Sequence, residues 1–394
     1  MKVTQIHSIV NAATKAILGD TIVLEEDLSN VVSVGQELTN SGKIDNYVKS
    51  LVNHIGKVVF TERIYAGGVP SVLMDSWEYG SILEKISTEL PDGTSSDSWD
   101  LKENTDYSPN FFYKPKVSVK FFNSKTTFEI PLSFTEMQVK ESFSSANQLN
   151  GFLSMLTTSV ENSMTVKLDA LIMRTIVNMA AETIVDGLTD VTDPDNPVFS
   201  PTTMTSVKAV NLLKLYNDEF NPTTPLVVGD CLTSPDFIRF ATYTMGLYTD
   251  RMSRVSTLFN VGGKQRFTPK DLQHVVLLSD FAKASETYLL ADTRNADKVL
   301  LPNHETVPYW QGSGTEYAFS EVSKINVKTA KAGVVEVEGV LGVIFDRDAL
   351  GVSNLDRRVT TNYNPKAEFY TNFYKFDAGF YNDLDENFIV FLVA

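Results

Sequence analysis

The pattern of apolar and polar positions changes character several times along the chain. Its most sustained run lies between residues 145 and 183. There Leu149, Phe152, Leu153, Leu156, Val160, Met164, Leu168, Leu171, Ile172 and Ile176 recur mostly three or four apart, which places them on one helical face. Ser145-Ala146-Asn147-Gln148 has capping-box form at the start, with Ser145 as N-cap and Gln148 at N3. No proline and a single glycine, Gly151, interrupt the run before Thr183. The spacing predicts one amphipathic helix of about 38 residues, about 57 Å long. It lacks sustained heptad charges, so it reads as a strut rather than a coiled coil.

Upstream, from Val72 to Phe134, two β-rich pieces flank a polar, breaker-rich centre at Pro91-Asp92-Gly93-Thr94-Ser95-Ser96-Asp97-Ser98. Val117, Val119 and Phe121 share one face of a strand and Ser118 and Lys120 the other, while Phe128, Ile130, Leu132 and Phe134 again recur at period two. This predicts a long two-stranded arm. An isolated two-stranded ribbon is marginal in water, so such an arm needs a surface to lie on, and a neighbouring subunit would serve. The other reading of the same alternation is an ordinary antiparallel sheet within a compact domain.

The remaining segments are mixed. The first 45 residues or so read as an arm with a short helix through Ile6 to Leu18. Helical spacing at 44–52 runs into a strand at Lys57 to Thr61. After an acidic, proline-rich loop at Asp193 to Pro197 come a helix near Thr205 to Asn217, a strand Pro225 to Gly229, a helix Ser234 to Met245 and a strand His274 to Leu278. The rest is β-like: Val334 to Val337, Gly342 to Phe345, Ala367 to Tyr381, and the apolar run Phe388 to Val393, which suits a central sheet. The class is α+β, without a solenoid-length repeat.

Charge narrows the partners. Lys and Arg number 34 against 49 Asp and Glu, a formal charge of −15. Such a surface repels phosphate backbones and anionic membranes, so neither sequence-specific nucleic-acid binding nor membrane association is expected. No apolar stretch approaches the ~20 residues of a bilayer span, and the first twenty residues lack a signal-peptide core. The one cysteine, Cys231, follows Leu226-Val227-Val228 and reads as a buried, inert thiol in a reducing compartment.

Candidate chemistry is sparse. His7, His54, His274 and His304 are far apart and give no zinc spacing. Phosphate-binding, dinucleotide-binding and nucleophile-elbow motifs are missing. Glu25-Glu26 and the group Asp383, Asp385 and Glu386 read as solvated surface rather than as acid–base pairs. Asp346-Arg347-Asp348 and Asp356-Arg357-Arg358 read as candidates for salt bridges between subunits or for local turns, because arginine pairs with carboxylates through a planar fork. No catalytic, metal or cofactor residue is assigned, and an enzymatic role is not expected.

The order of these parts resembles the major capsid proteins of tailed bacteriophages, the Hong Kong 97 phage fold. Two segments carry the resemblance best. One is GVIFDRDALGVSNLDRRVTTNYNPKAEFYTNFYKFDAGFYNDLDENFIVFLVA. The other, HIGKVVFTERIYAGGVPSVLMDSWEYGSILEK, is similar to short-tailed phage capsids of the Bacillus-infecting type. The resemblance implies an N-terminal arm at 1–45, the start of a peripheral domain at 46–71, an extended loop at 72–125 with its tip near 90–110 over an adjacent subunit, and more of the peripheral domain at 126–204 with a spine helix at 145–183. It further implies an axial domain at 205–345, returning peripheral strands at 346–381 and a terminal axial strand at 382–394. The function it implies is self-assembly, as pentamers and hexamers, into an icosahedral or prolate shell that encloses double-stranded DNA without reading its sequence, built in the host cytoplasm and found in the virion. A shell subunit needs extended arms to bury area on several neighbours, and an acidic wall leaves DNA free to slide. Candidate interface residues are the loop-tip aromatics Trp99 and Tyr107, with Asp346, Arg347, Asp348, Arg357 and Arg358. No charged coiled-coil extension is present, so a separate scaffolding protein and a portal are the expected partners, and no Lys–Asn pair is assigned to covalent cross-linking. Competing readings are an encapsulin-like compartment of the same fold, another virion component, or an enzyme without a recognised motif.

Overall fold

The computed structural model describes residues 3–18, 24–25, 30–40, 46–47, 50, 69, 72–74, 82–91, 93, 95–107, 110, 112–142, 146–190, 198–292, 303–312, 317–329 and 332–394. The expected capping serine Ser145, the strand at 57–61, most of the helix at 44–52 and the loop at Asp193 to Pro197 lie outside them. The chain divides into two units: Met1–Glu78, Lys125–Ile172 and Val352–Gly379 form one, and Tyr79–Ser124, Met173–Gly351 and Phe380–Ala394 the other.

The first unit contains a four-stranded sheet in the order Leu73–Met74, Leu350–Asn364, Phe369–Asn382, Lys125–Thr135. Lys125–Thr135 pairs antiparallel with Phe369–Asn382 over eleven positions, from Phe369 opposite Thr135 to Gly379 opposite Lys125. Alternation puts Phe128 against Phe376 at 5.1 Å and Phe134 against Tyr370 at 5.8 Å on one face, the cross-strand aromatic pairing that stabilises sheets. The segment near the N-terminus forms two helices, Val3–Leu18 and Val31–Asn40. Val10, Ala13 and Thr14 are buried, and Leu24 is tied to the first helix by His7 and Asn11.

The long helix runs Ala146–Leu188, 43 residues, about 64 Å at 1.5 Å per residue. It continues past Thr183 because Ile184, Val185 and Leu188 keep the apolar spacing. Its amphipathic character is confined to the part before residue 175. From there Thr175, Ile176, Val177, Met179, Ala180, Ala181, Thr183, Ile184 and Val185 are buried, as apolar residues on every side of a helix require.

The second unit is built on a five-stranded sheet in the order Ala209–Asn211, Phe388–Leu392, Val340–Asp346, Gln273–Leu278, Glu305–Val307. All five residues of Phe388–Leu392 and all seven of Val340–Asp346 are buried. Helices Leu212–Phe220, Pro235–Met252 and Ser279–Asp292 belong to the same unit, and Phe237, Ile238, Met245, Tyr248 and Phe281 join Leu341, Ile344, Ile389 and Phe391 in one core.

Two expectations are corrected here. Pro225 to Gly229 is not a strand. Leu226 donates its N–H to Asn217 Oδ1 (2.9 Å) and accepts from Asn217 Nδ2 (3.0 Å), so a side chain takes the place of a ladder partner, and Val228–Thr233 then coils as a 3-10 turn. The helix placed at Thr205 to Asn217 starts later, at Leu212, because Ala209–Asn211 pairs with the Phe388–Leu392 strand and Asn211 caps the helix by accepting from Lys214 N.

Candidate functional site

Leu83–Thr88 and Val117–Phe122 form an antiparallel ribbon with six paired positions, Leu83 opposite Phe122 through Thr88 opposite Val117. A bond from Glu89 N to Lys116 O (3.0 Å) extends it. The alternation runs opposite to that of a strand laid on a core. Ile86, Val117, Val119 and Phe121 face solvent, with Ile86 63% and Phe121 64% exposed. Lys85, Ser87, Ser118 and Lys120 turn inward, and the two serine hydroxyls meet at 2.7 Å.

Beneath the inward face lies the short connection between Phe369–Asn382 and Phe388–Leu392. Lys85 Nζ reaches Asp383 Oδ2 (2.9 Å), Glu386 Oε1 (2.9 Å) and the carbonyl of Asp348 (3.1 Å), which matches the three donors of an ammonium group. Lys120 Nζ reaches Asp383 Oδ1 and Asp385 Oδ2, both at 2.6 Å. Arg266 Nε donates to Glu386 Oε1 at 3.1 Å, and Lys264 Nζ binds Glu89 Oε1 at 3.0 Å where the ribbon ends. Phe122 packs on Tyr381, ring centroids 4.9 Å apart. Gly262 donates to the Leu384 carbonyl (2.8 Å), and a Cβ there would overlap the Asp385 carboxylate at Oδ1, so any other residue displaces that side chain.

Burial raises the pKa of Asp383, but the ammonium groups of Lys120 and Lys85 outweigh it and hold the carboxyl below its ordinary value. Glu386 goes the other way: burial raises it, and Lys85 and Arg266 offset that only in part. The solvated-surface reading of Asp383 and Glu386 is therefore corrected, since both are buried and ion-paired. No group of three or more His, Cys, Asp or Glu is placed to hold a metal ion among the described residues. Cys231 is fully buried, and its thiol is pushed up to about 12 by burial and by Asp230.

The family of Phi29-like phage major capsid proteins matches this sequence over residues 10–392. The chain belongs to that family. Its role is that of a major capsid protein, a structural component of the virion. No curated protein matches it. Among solved structures, the capsid of Staphylococcus phage Andhra covers 84% of this chain and 86% of its own, with 12% identity and a TM-score of 0.50, a likeness of fold. The capsid of the cyanophage P-SCSP1u (82% and 86% covered, 9% identity, TM-score 0.46) and a chain from the structure of head fiber and inner core protein gp22 of native bacteriophage P68 (85% and 86%, 10%, 0.46) are also similar. The α+β architecture is the Hong Kong 97-type capsid fold.

The capsid protein disperses the residues singled out from sequence. Trp99 is 98% exposed at the ribbon tip, near in sequence to exposed Leu101, Phe112 and Tyr113. Tyr107 is also exposed, and its hydroxyl accepts from Lys102 N (2.9 Å). Asp346 is buried and spends its carboxylate inside its own unit, on Thr268 Oγ1 (2.6 Å) and Asp348 N (2.8 Å). Arg347 and Asp348 are exposed on the same turn. Arg357 Nε donates to Asn354 Oδ1 (3.1 Å). Arg358 forks onto Asp377 at 2.8 and 3.3 Å. Lys85, Lys120 and Arg266 were not singled out from sequence. The signal for the two lysines was available: Lys85 and Lys120 alternate with Ile86, Val119 and Phe121 along each strand.

Proposed function

We propose that this capsid protein closes its shell by laying the outward apolar face of the ribbon, Ile86, Val117, Val119 and Phe121, and its tip, Trp99, Phe112 and Tyr113, on a neighbouring copy. The observation that carries this reading is the inverted ribbon: its polar face is neutralised by its own unit and its apolar face is left to water. Each such side chain that a neighbour removes from water contributes about 1.5–3 kcal/mol. In this reading the ribbon and its tip are the extended loop, shorter than the expected 72–125 because Leu73–Met74 and Lys125 belong to the first unit's sheet; that sheet belongs to the peripheral domain, and the second unit's five-stranded sheet marks the axial domain. Exposed Arg347 and Asp348 suit rim contacts. Copies join as pentamers and hexamers in the host cytoplasm with a separate scaffolding protein and a portal, and the shell encloses double-stranded DNA against an acidic wall; the charge of −15 supports this. The protein does no catalysis.

The test is electron microscopy of the chain co-produced with its scaffolding protein. Closed shells are expected for the unmodified chain. Ile86→Ser with Phe121→Ser is expected to give folded, unassembled subunits. Normal shells from that double variant would overturn the reading.

A further inference from the structure

The attachment of the ribbon to its own unit is chemically unusual. At the base of its inward face Phe122 packs on Tyr381. The ribbon's other contacts to the unit below are ionic: Lys85 and Lys120 on Asp383, Asp385 and Glu386, and Glu89 on Lys264. Lys85 and Lys120 are direct cross-strand partners, and like charges in that position repel. Without the carboxylates below, the ribbon would carry two adjacent ammonium groups on a surface turned away from bulk water. A static appendage would instead place Ile86, Val119 and Phe121 inward, where burial is favourable and insensitive to ions.

We propose that Asp383, Asp385 and Glu386 form an electrostatic latch that holds the ribbon down against its own unit and releases it when their charge is screened or removed. The inference rests on the reading of the ribbon as an intersubunit arm and names what regulates it. Release leaves the six-pair ladder intact and frees the ribbon to lift as a body from Asn123-Ser124. The groups that face the carboxylates are Lys85 and Lys120 from the ribbon, Arg266 from the segment before Gln273–Leu278, Asp346 from the end of the strand Val340–Asp346, Asp348 from the turn after it, and Tyr381 from the strand leading in. The cations are partly exposed, with Lys120 at 34%, so ions reach the latch from the ribbon side.

The test uses unassembled full-length subunits carrying Thr88→Cys on the outward ribbon face and Lys283→Cys on the helix Ser279–Asp292, both spin-labelled, with distances read by pulsed electron resonance. Native Cys231 is buried, and its thiol is held in the protonated form by burial. At about 0.1 M salt a single narrow distance is expected, and at about 1 M, where the screening length falls from about 10 Å to about 3 Å, a distribution about twofold wider. Asp383→Asn with Asp385→Asn and Glu386→Gln is expected to show the wide distribution at low salt already. A narrow distance at both salts would overturn the latch. So would a narrow distance in the triple variant. Should the triple variant not fold, the salt series decides alone. Because the measurement is made on free subunits, it can fail while the Ile86 and Phe121 variants still abolish shells, which separates the latch from the arm.

Discussion

Lys85 and Lys120 stand directly opposite one another in the ribbon ladder, and one carboxylate, Asp383, accepts from both, at 2.9 and 2.6 Å. A single buried charge thus cancels a repulsion that the strand register itself creates. Asp385 and Glu386 complete the neutralisation, one on each lysine.

Replacing Asp383 is expected to be costly, because removing one member of a buried ionic group leaves the others uncompensated. Asp383→Asn should cost about 3 kcal/mol in chemical denaturation of the subunit. Glu386→Gln should cost less than about 1 kcal/mol, because its burial already disfavours the charged form. Equal losses for the two variants would refute this division of labour.

The same pair predicts opposite responses to pH. Asp383 is held below its ordinary 3.8, so its contribution is present above that value and disappears as pH falls through the lower, folded one. Glu386 is raised above its ordinary 4.5, so its contribution is complete below 4.5 and is lost as pH rises through the folded value. The stability of Asp383→Asn relative to the parent should therefore fall with rising pH in the window below 3.8. That of Glu386→Gln should rise with pH in the window above 4.5. Denaturation midpoints at closely spaced pH values read both slopes.

Gly262 makes a coupled prediction. Gly262→Ala pushes a methyl group into Asp385 Oδ1, so the carboxylate has to leave Lys120. A loss of about 1–3 kcal/mol is expected. In an Asp385→Ala background most of it should vanish, giving a coupling of about 1 kcal/mol or more in a double-mutant cycle. An additive cycle would place the strain elsewhere.

At the tip, Trp99→Ala should leave the free subunit within about 0.5 kcal/mol of the parent, since the ring is 98% exposed. Assembled shells should nevertheless come apart at lower denaturant. Shells of unchanged stability would remove Trp99 from the interface.

The strut, the terminal strand and the α+β class were legible because each rests on local periodicity: Val160, Met164 and Leu168 for the helix, Phe388 to Leu392 for the strand. The ribbon's alternation was equally legible, but not which face turned outward, since that depends on Asp383, 263 residues from Lys120 and farther still from Lys85 along the chain. Asp383, Asp385 and Glu386 looked like surface because acidic residues are common in this chain, and only the fold brings ammonium groups to them. Pro225 to Gly229 misled for the converse reason: an apolar run has strand texture, while the Asn217 amide that captures Leu226 lies on a helix.

The strand Phe388–Leu392 sits between Ala209–Asn211 and Val340–Asp346 and bonds to both. Those two strands are made first and do not pair with each other. During synthesis the sheet therefore carries an open slot until residues 388–392 leave the ribosome. A nascent subunit cannot offer a finished domain to its neighbours before then, so translation itself sets the earliest moment at which a copy is fit to join a shell.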